Sequence, residues 1–311
     1  MPVYLFTGFL ESGKTKFIQE TLEDKRFCNK EKTLLLVCEE GEEEYAPEQF
    51  ATDTVVIRVL EGQEQLTTEN LTKWAQETKA DRVVIEYNGM WLLDALYAAM
   101  PEGWVVYQEF MFADAGTFLS YNGNMRQLVY DKLKSCELVV FNRFKPDMDK
   151  MEFHKVVRAA SRRADIAYES TDGKVVYDDI EDPLPFDLNA PVIEIGDADF
   201  AEWYRDLGET PANYEGKTVR FKCRALKRSK MPANTFIVGR HVMTCCVEDI
   251  QYCWLVAQDD RGYNPENQQW INITGKISVQ KHKLYKGKGL VLFVKEITSA
   301  EGPENPVATF Y

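Results

Sequence analysis

The residues best suited to chemistry lie near the start of the chain and follow an apolar, β-prone run over residues 3–7. From Gly8 to Thr15 they fit the spacing G-x-x-x-x-G-K-T, which is typical of a phosphate-binding loop. Gly8 and Gly13 permit the tight turn that brings backbone N–H groups against phosphate oxygens. Lys14 can reach the β- and γ-phosphates, and Thr15 offers a hydroxyl to Mg²⁺. A helix predicted to begin near Gly13 adds its positive dipole end, so the pattern predicts a site for a nucleoside triphosphate with Mg²⁺.

Acidic residues follow two further apolar runs. Residues 33–38 predict a buried parallel strand, and an acidic run over residues 39–44 follows it. Because ligands bind at the carboxyl ends of strands in α/β sheets, Glu39 and Glu42 are candidate Mg²⁺ ligands. A β-branched strand over residues 82–85 ends in Glu86, which is predicted to support the Mg²⁺-bound or attacking water. Gly89, shortly after that strand, is predicted to sense the γ-phosphate through its N–H group.

The elements that must position these residues alternate between strand and helix. Apolar runs at 54–57, 104–113, 138–141 and 164–168 predict strands, and helical spacing marks 67–79, 91–100, 122–134 and 149–163. This alternation predicts an α/β fold, a P-loop NTPase-like parallel sheet flanked by helices. His154 falls on the last of these helices and is predicted to lie at the surface.

The alternation of strands and helices ends after a short helix predicted over residues 200–207. Five strand-like runs then occur within about 100 residues and are separated by Gly, Pro and Asn turns, at 217–225, 235–238, 252–258, 270–276 and 289–297. They predict a small all-β, OB-like barrel. The predicted domains are therefore residues 1–195 for the NTPase, 196–212 for a short helix and linker, and 213–311 for the barrel.

Composition narrows the class of protein. The net charge is −13, but residues 214–311 carry 15 Lys and Arg against 9 Asp and Glu, which leaves the larger module strongly acidic. This asymmetry marks two modules and disfavours nucleic acid as a partner of the whole chain. No apolar run reaches membrane-spanning length, and the start lacks a basic signal-peptide region. With 7 Cys in no secreted-scaffold spacing, we expect a cytoplasmic protein with reduced thiols and no membrane partner.

Residues 1–163 resemble the CobW-type GTPases, relatives of the UreG and HypB metallochaperones. The resemblance lies in the opening segment V-Y-L-F-T-G-F-L-E-S-G-K-T, in E-E-G-E after the second strand and in I-E-Y-N-G around Glu86. It implies GTP binding, Mg²⁺, and Asn142 at the start of the guanine-reading segment. The nucleotide-binding residues then follow as Gly8, Glu11, Ser12, Gly13, Lys14, Thr15, Gly89 and Asn142, with Lys14 and Glu86 in catalytic roles.

Three departures from the family pattern stand beside this resemblance. The metal-binding C-x-C-C expected after Leu60 is absent. Lys145 stands where an Asp reads guanine, and a Lys cannot accept the N–H bonds of that base, so GTP and ATP stay open, with Asp147 or Asp149 as possible substitutes. Glu11 replaces a loop Gly, so its charge either weakens phosphate binding or points outward.

Residues 234–249 resemble a segment of the YcgQ-like proteins of bacteria, R-x-x-x-x-C-C-x-x-D. Cys245 and Cys246, with His241 and Asp249, could supply Zn²⁺ ligands. Adjacent Cys on a strand point to opposite faces, so a packing role for one of them is the alternative.

Together these features predict a CobW-like P-loop nucleoside triphosphatase acting in metal homeostasis or metallocofactor delivery. Zinc is the favoured metal, and a metalloprotein is the implied client. The main alternative is a degenerate nucleotide-binding switch or scaffold that hydrolyses little and binds proteins through its β-module. A nucleic-acid-binding barrel is a third hypothesis, which the acidic larger module disfavours.

Overall fold

The computed structural model describes residues 1–28, 31–227, 231–232, 234–244, 249–263 and 265–310. The chain divides into two compact units, Met1–Ile180 and Glu181–Tyr311. The boundary predicted after residue 195 lies inside the second unit, because the strand Ile193–Ile195 pairs with the barrel rather than with the first sheet.

The first unit is built on an eight-stranded sheet. Its strands are β1 (Pro2–Gly8), β2 (Thr33–Val37), β3 (Val55–Val59), β4 (Arg82–Glu86), β5 (Val105–Asp114), β6 (Leu138–Phe144), β7 (Asp165–Ser170) and β8 (Val175–Tyr177). They lie in the order β3-β2-β4-β1-β5-β6-β7-β8, and every pair is parallel except β7–β8. The order reverses at β1, which is therefore the topological switch point where ligands bind in such sheets.

In the described part of the first unit, six helices accompany this sheet. They are α1 (Lys14–Glu23), α2 (Thr68–Thr78), α3 (Leu93–Ala99), α4 (Ala115–Asn124), α5 (Arg126–Leu133) and α6 (Lys150–Ala160), with short 3₁₀ turns at Pro47–Gln49 and Gln63–Gln65. The predicted mostly parallel sheet with flanking helices is confirmed. The prediction of a single helix over residues 122–134 was wrong, because Met125 has a non-helical backbone conformation and separates α4 from α5. Gly123 and Asn124 precede the break, and both are weak helix formers.

The surface position predicted for His154 was also wrong. Its side chain is buried, and Nδ1 lies 2.8 Å from Asp178 Oδ2. Asp178 follows β8, an edge strand that the sequence analysis did not predict. The partner that buries His154 was therefore invisible from the helix pattern alone.

The described residues of the second unit form mainly β-strands. Its elements are β9 (Ile193–Ile195), α7 (Phe200–Glu209), the 3₁₀ turn Pro211–Asn213, β10 (Thr218–Leu226), β11 (Thr235–Val242), β12 (Gln251–Gln258), β13 (Trp270–Lys281), β14 (Lys288–Ser299) and β15 (Val307–Ala308). Five of the strands pair in a closed ring, β10-β11-β12-β14-β13 and back to β10, in which only β12–β14 is parallel. The predicted all-β domain and its five strands are confirmed.

The core of the second unit joins α7 to the barrel. Phe200, Trp203 and Leu207 of α7 are buried with inward-facing residues of the strands. The rings of Trp203 and Phe221 lie 4.6 Å apart, within the range of favourable aromatic pairs. Alternate residues of β10 are buried, as expected of a strand with one face on the core.

Candidate functional site

The loop between β1 and α1 has the backbone that its glycines predict. Gly8 and Gly13 have φ of 135° and 92°, values that side-chain-bearing residues rarely adopt. A Cβ at Gly8 would lie 2.0 Å from the carbonyl oxygen of Phe112, and one at Gly13 would lie 2.3 Å from Asn142 Nδ2. The loop is thus packed between β5 and β6, and only glycine fits at its two ends.

Lys14 is buried at the floor of this loop. Its Nζ donates hydrogen bonds to the carbonyl oxygens of Gly8 and Phe9, each at 3.0 Å, and forms an ion pair with Glu39. Ser12 is also buried, and its Oγ has no hydrogen-bond partner among the described residues. A buried hydroxyl without a partner is costly and is expected where a ligand completes the site.

Thr15 and Glu86 meet beside the lysine. Thr15 Oγ1 donates to Glu86 Oε1 at 2.7 Å, and the hydroxyl of Tyr45 donates to Glu86 Oε2 at 2.6 Å. Burial raises the pKa of Glu86, against the lowering effect of these two hydrogen bonds and of Lys14. Burial also raises the pKa of Tyr45, so this phenol remains a hydrogen-bond donor. A threonine hydroxyl beside a strand-end carboxylate is the donor set that P-loop proteins use for Mg²⁺.

The acidic segment after β2 lies over the loop. Glu39 contacts Lys14 through Oε1 and accepts the N–H of Gly89 on Oε2 at 3.1 Å. The backbone N–H of Glu42 donates to Glu11 Oε1 at 2.8 Å. The carboxylate of Glu11 therefore points to the acidic segment, and the Glu42 side chain is exposed.

Gly89 touches the loop from the other side. A Cβ there would lie 2.7 Å from both the carbonyl oxygen of Gly8 and the Cα of Phe9. The end of β4 and the glycine loop therefore pack backbone to backbone. Any change in the position of Gly89 requires a change in this contact.

The end of β6 closes the site. Asn142 Nδ2 donates to the carbonyl oxygen of Ser12 at 3.3 Å. Arg143 adopts a left-handed φ of 55° and bonds both the Asp114 carboxylate and the carbonyl oxygen of Glu11. Lys145 is exposed. The segment in the guanine-reading position thus holds the glycine loop through Asn142 and Arg143.

The carboxyl ends of four strands therefore meet at one edge of the sheet. The ends of β1, β2, β4 and β6, with the residues that follow them, bring together Glu11, Ser12, Lys14, Thr15, Glu39, Glu86, Gly89 and Asn142. Sequence reasoning missed Tyr45 and Arg143. A phenol directly after the acidic run 39–44 was the available signal for Tyr45. The role of Arg143 depends on a backbone conformation that its sequence pattern does not predict.

The structure describes two of the four predicted zinc ligands, His241 and Asp249. Cys245 and Cys246 lie outside the described residues. His241 is half-buried with its ring 5.3 Å from that of Tyr252, and Asp249 accepts the N–H of Thr244 at 2.9 Å. Within the described ranges, no group of three or more His, Cys, Asp or Glu forms a metal-binding cluster.

The described helices include none with both the length and the apolar character needed to cross a bilayer.

Comparison with known proteins bears mainly on the second unit. Residues 176–308 match the family model of the DUF1980 C-terminal domain. The match includes the segment that resembles the YcgQ-like proteins, and it agrees with that predicted resemblance. The comparison with curated proteins gives no match.

Two solved structures align with most of the chain. A Zn(II)-bound YjiA GTPase from E. coli is 14% identical, with 82% of this chain and 88% of that chain covered and a TM-score of 0.41. A Zn(II)-bound triple mutant of YjiA is 15% identical, with 86% and 91% covered and a TM-score of 0.37. Similarity at this level carries no argument for function, which is therefore argued from the site itself.

Proposed function

We propose that the first unit binds a nucleoside triphosphate with Mg²⁺ and hydrolyses it, as a CobW-like P-loop GTPase or NTPase. The observation that supports this most directly is the buried Lys14 in a glycine-ended loop beside the Thr15–Glu86 pair. The unpartnered Ser12 hydroxyl fits the same proposal, because a phosphate oxygen would satisfy it.

The proposed roles follow from the geometry. Lys14 and the N-terminus of α1 place positive charge where negative charge develops in phosphoryl transfer. Thr15 and Glu86 would hold Mg²⁺, which would supply positive charge to neutralise the phosphates. Gly89 offers its N–H group to the γ-phosphate. The proposal favours GTP because of the resemblance to CobW-type GTPases, and ATP is the alternative because Lys145 cannot accept the guanine N–H bonds.

Substitution of Lys14 tests nucleotide binding directly. We expect Lys14→Ala to weaken Mg²⁺–GTP or Mg²⁺–ATP binding by about a hundredfold, since it removes a charge-assisted bond to phosphate. Isothermal titration calorimetry on the full chain would measure this. Lys16→Ala is the matched control, because Lys16 lies on the same helix but its side chain is exposed and forms an ion pair with Glu20 at 3.9 Å. Equal affinities of wild type and Lys14→Ala would overturn the proposal.

A nucleotide switch or scaffold with little hydrolysis is the second candidate. It is favoured by the hydrogen bonds of the Glu86 carboxylate, which accepts from Thr15 on one oxygen and from Tyr45 on the other. Phosphate-release measurements under saturating nucleotide separate the two candidates. A chain that binds nucleotide tightly and releases no phosphate above background would be the switch.

We further propose a role in metal homeostasis or metallocofactor delivery, with zinc as the metal and a metalloprotein as client. This role is supported by the resemblance to CobW-type GTPases and by the Cys245–Cys246 pair. Zinc titration of the full chain should show a site that a Cys245→Ser, Cys246→Ser double variant loses. Cys136→Ala controls for the loss of a buried thiol in the first unit. Unchanged zinc affinity in the double variant would exclude these residues as ligands.

The barrel of the second unit is proposed to be OB-like. The support is the closed ring of five strands with the order 1-2-3-5-4 counted from β10. OB-folds are five-stranded Greek-key barrels.

A further inference from the structure

Glu39 lies between the two groups of the site that are expected to bind a terminal phosphate. One carboxylate oxygen contacts the Lys14 ammonium, and the other accepts the N–H of Gly89 at 3.1 Å. The side chain is largely buried there, with 10% of its surface exposed. A two-oxygen anion held by an ammonium and a backbone N–H is chemically close to a phosphate group in the same place.

The hydrogen-bond donors of this pair are fully used. A lysine ammonium has three N–H donors, and those of Lys14 are taken by the carbonyl oxygens of Gly8 and Phe9 and by Glu39. Gly89 has a single backbone donor, which Glu39 accepts. Neither group can therefore bind a phosphate oxygen while the Glu39 carboxylate stays in place.

The space above the loop leads to the same conclusion. The cavity lined by the glycine loop, Glu39 and Glu86 has a volume of only about 20 Å³. That is room for about one water molecule. A terminal phosphate cannot enter unless a side chain leaves, and a second anion beside Glu39 would be repelled in this poorly solvated place.

Glu39 has open space on both sides. It lines two neighbouring cavities of about 610 Å³ and 460 Å³. The backbone just before it is fixed, because Asn88 Nδ2 donates to the carbonyl oxygen of Cys38 at 3.2 Å and the N–H of Cys38 donates to the carbonyl oxygen of Glu86 at 2.9 Å. The carboxylate can thus leave by rotation of its own side chain, without movement of β2.

We propose that the Glu39 carboxylate occupies the place of the terminal phosphate of a nucleoside triphosphate and competes with it, so that Glu39 sets the preference of the site between di- and triphosphates. This inference rests on the nucleotide-binding function proposed above. A nucleoside diphosphate has no group that must replace Glu39 at Gly89. A triphosphate displaces the carboxylate and breaks one of the contacts that hold the acidic segment over the loop.

The test is the affinity of the full chain for a non-hydrolysable GTP analogue and for GDP, each with Mg²⁺, with the ATP analogue and ADP in parallel. We expect Glu39→Ala to tighten triphosphate binding by about tenfold or more, the value of one charge-assisted bond. Diphosphate binding should tighten less, so the ratio of the two dissociation constants shifts toward the triphosphate. Glu39→Gln, which keeps the shape and removes the charge, should shift the ratio in the same direction by a smaller factor.

Glu40→Ala is the matched control, because Glu40 is the exposed neighbour in the same acidic segment and should leave both affinities unchanged. An unchanged or lower triphosphate preference in both Glu39 variants would overturn the inference and leave the proposed function intact. Absence of binding of every nucleotide by wild type and by both Glu39 variants would overturn the proposed function and this inference with it. Binding that appears only when Glu39 is replaced would support the inference in its strongest form.

Discussion

Lys14 in the first unit and Arg240 in the second are both buried cations, with 3% and 1% of their side chains exposed. Arg240 bonds the carbonyl oxygen and carboxylate of Asp197 at 3.0 and 3.1 Å and the carbonyl oxygen of Asn305 at 2.8 Å. It also lies over the rings of Phe200 and Trp270. Apart from Glu39, the partners of Lys14 are likewise backbone carbonyls.

The difference lies in whether a partner can be exchanged. Glu39 borders open cavities and can leave Lys14. Arg240 is held by two backbone carbonyl oxygens and two aromatic rings, and its carboxylate partner Asp197 is itself fixed by a second bond, to Lys222 at 2.8 Å. A buried charge is therefore evidence of a ligand site only when one of its partners can be replaced by the ligand. By this criterion we assign Arg240 a structural role and Lys14 a role in ligand binding.

The largest expected effect is that of Arg240→Ala. It removes a buried guanidinium with three hydrogen bonds, and we expect a loss of about 3 kcal/mol in the unfolding free energy of the second unit. Hydrogen–deuterium exchange of the full chain would show faster exchange in peptides of the barrel and unchanged exchange in the first unit. Arg220→Ala is the control, since the ion pairs of that half-exposed side chain contribute about 1 kcal/mol or less. Exchange of the barrel peptides at the wild-type rate in Arg240→Ala would contradict the structural role assigned to Arg240.

A smaller effect is expected from Tyr45→Phe. The change removes the hydroxyl that donates to Glu86 at 2.6 Å, a bond to a charged group, and should cost about 1.5 kcal/mol of stability in the nucleotide-free chain. Urea unfolding would measure it, with Tyr107→Phe on the exposed side of β5 as the control. A stability equal to that of wild type would show that Tyr45 does not hold the acidic segment.

The smallest expected effect is a pH dependence that distinguishes two buried carboxyls of the first unit. Burial raises the pKa of Glu86 and of Glu109 above the ordinary value of 4.5. The native state therefore binds the extra proton. Each group's contribution to stability is fully present below pH 4.5 and is lost as the pH rises through its raised native pKa.

Variants at the two positions measure this effect. Glu86→Gln and Glu109→Gln should each reduce the decrease in unfolding free energy that wild type shows between pH 4.5 and neutrality. The reduction should be smaller than the loss of stability expected for Tyr45→Phe. Saturating Mg²⁺–nucleotide should abolish the contribution of Glu86 and leave that of Glu109, which contacts Ser135 and Tyr97 instead. Equal responses of the two variants to nucleotide would contradict the assignment of Glu86 to the site.

The parts of the site that sequence predicted are local or lie at strand ends. Gly8, Gly13, Lys14 and Thr15 fall within one short pattern, and Glu86 follows a β-branched run, so chain order alone places them. Tyr45 could not be predicted in the same way, because the segment that carries it has no regular period and reaches Glu86 only through the fold. The contact of Glu39 with both Lys14 and Gly89 likewise depends on the packing of three loops.

The secondary structure likewise includes elements that the sequence pattern predicts and elements that it does not. The five barrel strands were predicted because turn residues separate them, whereas β8, β9 and β15 are only two or three residues long and too short to show a period. The break at Met125 escaped prediction because the apolar spacing continues across it, and only the weak helix formers before it marked the end of α4.

The central position of β1 has a consequence for synthesis of the chain. The glycine loop is made before β4 and β5, but β1 pairs with both of these strands, and Gly8 packs on the carbonyl of Phe112. A nascent chain that ends before β5 has every residue of the loop but lacks the contacts with Phe112 and Asn142 that shape its two ends. The loop thus waits for about a hundred further residues, and nucleotide can assist folding only after β5 has been made.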